Sequence, residues 1–97
     1  MKKEFCIMND NPPYWKNQRI GNLHRHECFY GVRNRQKSID DGLVVFLTPE
    51  LHNMSNKGVH FNKEFDLMIK KEAEKRWLEY YNKTIDDFIK IYGRNYL

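Results

Sequence analysis

The alternation of apolar and polar residues predicts two short strands in the first half of the chain. Residues 23–30 have a strand-like composition, although neither of their two faces is wholly apolar. Residues 43–47 are apolar and rich in β-branched side chains, and they end at Thr48-Pro49. We expect these two strands to pair antiparallel.

Polar segments flank and separate the predicted strands. Residues 1–22 are rich in turn-forming residues, with room for a short strand at residues 4–8. Residues 31–42 are predicted to be a polar connection because they close on Asp-Asp-Gly, a strong turn signal. Residues 50–60 form a second polar segment.

From Asn62 onward, apolar residues recur every three or four positions, which is the period of an amphipathic helix with Asn62 as its N-cap. The predicted core stripe of this helix consists of Phe65, Met68, Ile69, Ala73, Trp77 and Tyr80. Two supporting ion pairs are expected along it, Asp66–Lys70 and Glu72–Arg76. A second helix is predicted to begin at Thr84 with a capping-box sequence and to end near residue 93.

These elements predict a single α+β domain with an antiparallel strand pair and a long helix. Its parts are an irregular N-terminal extension (1–22), a ββα core (23–81) and a short C-terminal helix (82–97). No apolar run approaches the roughly 20 residues of a membrane span, and no signal region develops, so we expect a cytoplasmic protein without a membrane segment. Cys6 and Cys28 lack CxxC spacing, which predicts reduced, structural cysteines.

Positive charge is concentrated in one part of the chain. The net charge is +4, from 17 basic and 13 acidic residues. Residues 16–37 contain six basic side chains and one acidic side chain, so the remainder is close to neutral. This clustering indicates a polyanionic partner, and the alternative is a solvated basic loop.

The histidines change this picture, because four of them lie close together in the sequence with a neighbouring carboxylate. His24 and His26 lie in the first strand, and His52 and His60 follow the second. Imidazole accepts transition metals and carboxylate favours Mg²⁺ or Mn²⁺. A site of His26, Glu27, His52 and His60 is therefore suited to Mg²⁺ or Mn²⁺, with Ni²⁺ and Zn²⁺ as further options.

Phosphodiester hydrolysis needs a base near neutral pKa, a cation at the phosphate, and cationic side chains on the flanking phosphates. Histidine, with an unperturbed pKa of about 6.5, suits the base. Arg25, Arg33, Arg35 and Lys37 are the candidate phosphate contacts. The sequence thus predicts a nucleic acid as the partner.

Three stretches carry a family resemblance: His26-Glu27 with Asn34-Arg35 after it, the run from Gly42 to His52, and Gly-Val-His-Phe-Asn-Lys-Glu at 58–64. Together they resemble small HNH-type nucleases of the His-Me finger class, which phages and prophages often encode. The resemblance covers residues 23–81. It implies a ββα-metal fold in which one member of an adjacent pair binds the metal and the other is the general base.

By this resemblance, the adjacent pair is His26 and Glu27, the later metal ligands are His52 and His60, and Asn34 braces the loop. The family usually has His-His or Asp-His as the pair, so Glu27 departs from the pattern. Two assignments stay open, and we favour His26 as the base with Glu27 on the metal, because imidazole is the better base near neutral pH. His24 is a reserve for either role, since it shares a strand face with His26.

Three functions follow from these observations. The leading prediction is a metal-dependent DNA endonuclease or nickase. The first alternative is a non-catalytic nucleic-acid-binding or recombination-accessory module, and the second is a protein-interaction factor that uses exposed aromatic residues. Double-strand cleavage by so small a domain would need two successive nicks or a homodimer.

Overall fold

The computed structural model describes residues 4–54 and 62–97. In chain order the elements are β1 (His24–Glu27), α1 (Asn34–Asp41), β2 (Val44–Leu47), a wide helical turn (Glu50–Met54), α2 (Lys63–Tyr81) and α3 (Ile85–Tyr92). The predicted α+β class is confirmed, as are the strand pair, the long helix and the short C-terminal helix. Within these two ranges, no helix is long and apolar enough to cross a membrane.

β1 and β2 pair antiparallel, as predicted, with His26 opposite Val45 and Glu27 opposite Val44. Side chains that face each other across such a pair project from the same face of the sheet. Val45 belongs to the main hydrophobic core. His26, and His24 two residues before it, therefore project from the core face, whereas Glu27 projects from the reverse face.

Helix α1 was not predicted, because residues 31–42 were interpreted as a polar connection. Only Ser38 of its eight residues is buried, so the hydrophobic period that reveals most helices is missing. Hydrogen bonds attach the helix instead: Ser38 Oγ donates to Phe29 O at 2.7 Å and accepts from Phe29 N at 3.1 Å. These bonds also turn the chain out of β1, which is why this strand ends earlier than predicted.

The long helix confirms its predicted cap and ion pairs. The Asn62 side chain accepts a hydrogen bond from Phe65 N at 3.0 Å. The two i,i+4 pairs are present, at 2.9 Å for Asp66–Lys70 and 3.1 Å for Glu72–Arg76. The apolar stripe is narrower than predicted, because Met68 and Tyr80 are 38% and 59% exposed. Phe65, Ile69, Ala73 and Trp77 are buried in the core.

Asp41, the last residue of α1, ties the three helices together. Its Oδ2 atom accepts hydrogen bonds from Trp77 Nε1 at 3.0 Å and Tyr92 Oη at 2.6 Å, and its carbonyl accepts from Tyr81 Oη at 2.9 Å. Burial, followed by the bond to Asp41, raises the pKa of Tyr92 far above its usual range. The position of α1, and of its basic side chains, is thus fixed by α2 and α3.

The N-terminal segment covers the reverse face and outer edge of the strand pair. Lys16 and Phe46 exchange two backbone hydrogen bonds, of 3.0 and 2.9 Å, on the side of β2 away from β1. Cys6 Sγ donates to Val44 O at 3.0 Å. The predicted strand at residues 4–8 is not formed; Ile7 N instead makes one backbone bond, of 2.9 Å, to Gly42 O.

Candidate functional site

Three of the four histidines meet on the core face of the strand pair. His24 and His26 come from β1, and His52 comes from the wide turn after β2, where its N–H donates to Thr48 O at 2.9 Å. The His52 ring centre lies 5.4 Å from that of His24 and 5.5 Å from that of His26. We call His24, His26 and His52 the histidine cluster. His60, the fourth predicted residue, lies outside the described residues.

Within the cluster, His24 Nδ1 and His52 Nδ1 lie 3.3 Å apart. At this distance one imidazole can donate a hydrogen bond to the other. The same separation suits a shared metal ion, because two nitrogens each about 2.0–2.1 Å from a tetrahedral Zn²⁺ lie roughly 3.3–3.4 Å apart.

The ligand set is incomplete within the residues that the structure describes. Among residues 4–54 and 62–97, no group of three or more His, Cys, Asp or Glu side chains is arranged to hold a metal ion. His24 and His52 supply two nitrogens.

Glu27, predicted as a metal ligand or base, is not brought to the histidine cluster. It lies on the reverse face of β1, where its carboxylate contacts Arg25 Nε at 3.5 Å and Arg35 Nε at 3.4 Å. Strand geometry explains this separation from His26, because consecutive residues of a strand point to opposite faces. Of the adjacent pair, only His26 lies with the other histidines.

The remaining predicted residues lie along α1 and divide into two groups. Asn34 Nδ2 donates to Tyr92 O at 3.2 Å, and Lys37 Nζ donates to Ile91 O at 2.8 Å, so both attach α1 to the end of α3. Asn34 thus contacts α3, and its role in bracing the loop stays a prediction. Arg33, at the N-cap position of α1, and Arg35 are exposed.

Sequence reasoning missed a polar group beside His26. The Tyr30 ring centre lies 5.7 Å from that of His26, and Lys70 Nζ lies 4.5 Å from the centre of the Tyr30 ring. Lys70 also pairs with Asp66 at 2.9 Å. Burial, and next the charge of Asp66, raise the pKa of the Tyr30 phenol. The Asp66–Lys70 spacing was visible in the sequence, but its contact with Tyr30 was not.

Comparisons with protein-family models, curated proteins and solved structures yield no match for this chain. The functional argument therefore depends on the residues and their geometry.

Proposed function

We propose that this chain is a divalent-metal-dependent endonuclease or nickase that hydrolyses phosphodiester bonds in DNA. The observation that carries the proposal is the contact of His52 with both His24 and His26. The strand pair and the turn after it bring three imidazoles together, which supports the proposal. Such a group offers both metal ligands and a base that works near neutral pH.

Each side chain has a role in this proposal. His24 and His52 are the residues that would hold the metal, through the Nδ1 atoms that lie 3.3 Å apart. His26 is the base that accepts the proton of the attacking water. When bound, the metal would stabilise negative charge on the phosphate and on the leaving oxygen. His24 thus takes the place that the sequence interpretation gave to Glu27.

Lys70 adds a positive charge close to this site. Its ammonium group is held between Asp66 and the Tyr30 ring, and Tyr30 lies next to His26. The arginines of the reverse face and of α1 are the groups that would contact flanking phosphates, because guanidinium groups match the geometry of phosphate oxygens.

A plasmid-nicking assay tests the proposal. Supercoiled plasmid is incubated with wild type or variants in Mg²⁺, Mn²⁺, Ni²⁺, Zn²⁺ or EDTA. We expect metal-dependent nicking, and a loss of about 10²–10⁴-fold in His26→Ala, the range for removal of a general base. His52→Ala should lose activity and require more metal. Glu72→Gln, which changes one α2 ion pair outside the cluster, is the control and should nick like wild type.

The non-catalytic nucleic-acid-binding module is the second candidate. Two observations favour it: the incomplete ligand set among the described residues, and the placement of Glu27 with arginines and away from His26. Folded wild type that binds DNA in a salt-dependent way, but nicks with none of the four metals, would replace the nuclease proposal with this one. Linear plasmid that forms without a nicked intermediate would indicate cleavage of both strands by a homodimer.

A further inference from the structure

A second charged cluster lies away from the histidines, along the reverse face of β1. Glu4 pairs with Arg19 Nε at 2.9 Å and with Arg25 Nη1 at 3.0 Å. Glu27 pairs with Arg25 and with Arg35 of α1. Three guanidinium groups and two carboxylates therefore alternate as Arg19, Glu4, Arg25, Glu27 and Arg35, and we call this set the arginine row.

The carboxylate of Glu27 has an unusual position within this row. Its Oε2 atom lies 3.5 Å from Arg25 Nε and its Oε1 atom lies 3.4 Å from Arg35 Nε, so each oxygen serves a different arginine. Both distances exceed the roughly 2.7–2.9 Å of a well-formed charge-assisted bond. Neither arginine makes the two-bond contact with Glu27 that its planar fork allows.

Exposure shows which side chains a ligand would meet first. The Glu27 side chain is 16% exposed, whereas those of Arg25 and Arg35 are 36% and 65% exposed. The Glu27 side chain is thus the most buried of the three, and the side chains of Arg25 and Arg35 are more accessible to solvent. An anion arriving from solvent meets the arginines before it meets Glu27.

A backbone phosphate has the chemistry that fits between these arginines. Its two non-bridging oxygens carry negative charge, as the two Glu27 oxygens do, and arginine binds phosphate through paired N–H bonds. The wider sequence favours the same ligand, because residues 16–37 hold six basic side chains and one acidic side chain, Glu27 itself. Glu27 occupies the position between the guanidinium groups that one phosphate would take.

We propose that Arg25 and Arg35 form a clamp for one backbone phosphate of a nucleic acid, and that Glu27 is the resident counter-charge that the phosphate displaces. The inference rests on the proposed function in taking nucleic acid as the ligand. It gives Glu27 a role in binding, in place of a role on the metal or as the base. Glu27 limits the affinity of the clamp while keeping both arginines in position.

Binding measured in EDTA tests the clamp, because neither cleavage nor a metal-ligand role contributes there. Fluorescence anisotropy gives the Kd of a short labelled duplex over a series of salt concentrations. We expect Glu27→Gln to bind twofold to fivefold more tightly, in line with the roughly 0.2–1 kcal/mol of a salt bridge at the protein surface. The plot of log K against log salt should steepen, because the variant has no displaced carboxylate that takes up a cation and offsets the one released from the phosphate.

A matched control separates the clamp from net charge. Glu72→Gln makes the same charge change at a carboxylate that pairs with a single arginine on α2, at 3.1 Å. We expect it to bind like wild type, and an equal gain in both variants would overturn the clamp. Unchanged or weaker binding by Glu27→Gln, or no binding by wild type at low salt, would also overturn it.

A double-mutant cycle tests the partner arginine. Arg35→Gln should bind more weakly with a flatter salt dependence, and the gain from Glu27→Gln should shrink in the double variant, because one arm of the clamp is gone. If Glu27→Gln increases affinity as much in the Arg35→Gln background as in wild type, the proposal is overturned. Two unrelated duplexes should show the same gain, since phosphate contacts carry no sequence information, and a gain restricted to one sequence overturns it as well.

These results are independent of whether the chain cuts DNA. If Glu27→Gln binds more tightly in EDTA but wild type fails to nick plasmid with any of the four metals, this inference stands and the nuclease proposal fails. If wild type nicks plasmid but Glu27→Gln binds DNA no more tightly than wild type, the nuclease proposal stands and the clamp fails.

Discussion

Asp41 is predicted to be one of the largest single contributors to stability outside the apolar core. The substitution Asp41→Ala removes the acceptor of the Trp77 Nε1 and Tyr92 Oη bonds, of 3.0 and 2.6 Å. Both donors belong to side chains that are 3% exposed, so water reaches them poorly. A lost bond to a charged group costs about 1.5–3 kcal/mol, and a buried donor left without an acceptor costs a similar amount.

Because these two costs overlap, we expect Asp41→Ala to lower the free energy of unfolding by about 3–4 kcal/mol. This is a large share of the 5–15 kcal/mol typical of a domain. Urea unfolding followed by tryptophan fluorescence measures it, and Trp77 lies at the altered contact. The urea slope m should not change, since the same surface is exposed on unfolding.

The neighbouring carboxylate offers a matched control. Asp40 accepts one exposed bond from Gln36 Nε2, at 2.9 Å, so Asp40→Ala should change stability by no more than about 0.5 kcal/mol. Tyr92→Phe should cost about 1.5–3 kcal/mol by itself, as the loss of a bond to a charged group, and should cost much less in the Asp41→Ala background. If Asp41→Ala is no more destabilising than Asp40→Ala, Asp41 does not hold the helices together and the reasoning fails.

Two further predictions concern α2 and α3. Burial raises the pKa of Glu74 above its ordinary 4.5, and the hydrogen bond from Tyr96 N opposes this only in part. The folded state therefore holds this proton more tightly, so the contribution of Glu74 to stability is greatest in acid and is lost as pH rises through the raised pKa. Urea unfolding from pH about 4 to 7 should show stability falling more steeply for wild type than for Glu74→Gln, and equal slopes would contradict the assignment. Thr84→Ala breaks the capping box with Asp87 and should lower the free energy of unfolding by about 1 kcal/mol. Lys83→Ala, at an exposed position, should lower it little, and equal losses in the two variants would show that the cap does not stabilise α3.

The elements that could be predicted are those with a local cause. β2 is an uninterrupted apolar run, and α2 and α3 each begin at a polar residue whose side chain caps the helix. Helix α1 has neither signal, since Arg33 makes no side-chain cap bond and Ser38 alone is buried. It is held by the hydrogen bonds of Ser38 to Phe29 and by those that Asp41 accepts from Trp77 and Tyr92. Trp77 and Tyr92 lie 36 and 51 residues from Asp41 in the sequence, so no local pattern indicates them.

The candidate site was likewise predicted only in part. The meeting of His26 with His52 followed from the pairing of the strands, and His24 was noted on the correct face. Glu27 was grouped with His26 because the resemblance treats adjacent residues as one unit, although the two-residue period of a strand separates them. The contact between Tyr30 and Lys70 depends on how α2 packs beside β1, which no pattern in the sequence records.

The short strand β1 carries two imidazoles on one side and an arginine and a glutamate on the other, in strict alternation. Four residue pairs with β2 set its register. Because the side-chain period is two, a slip of one residue would turn every side chain to the opposite face. His24 and His26 would then lie on the outer face, and Arg25 and Glu27 would enter the core. A shifted register therefore cannot preserve the histidine face while it changes the face of Arg25 and Glu27. The register of two strands determines which side chains both faces carry.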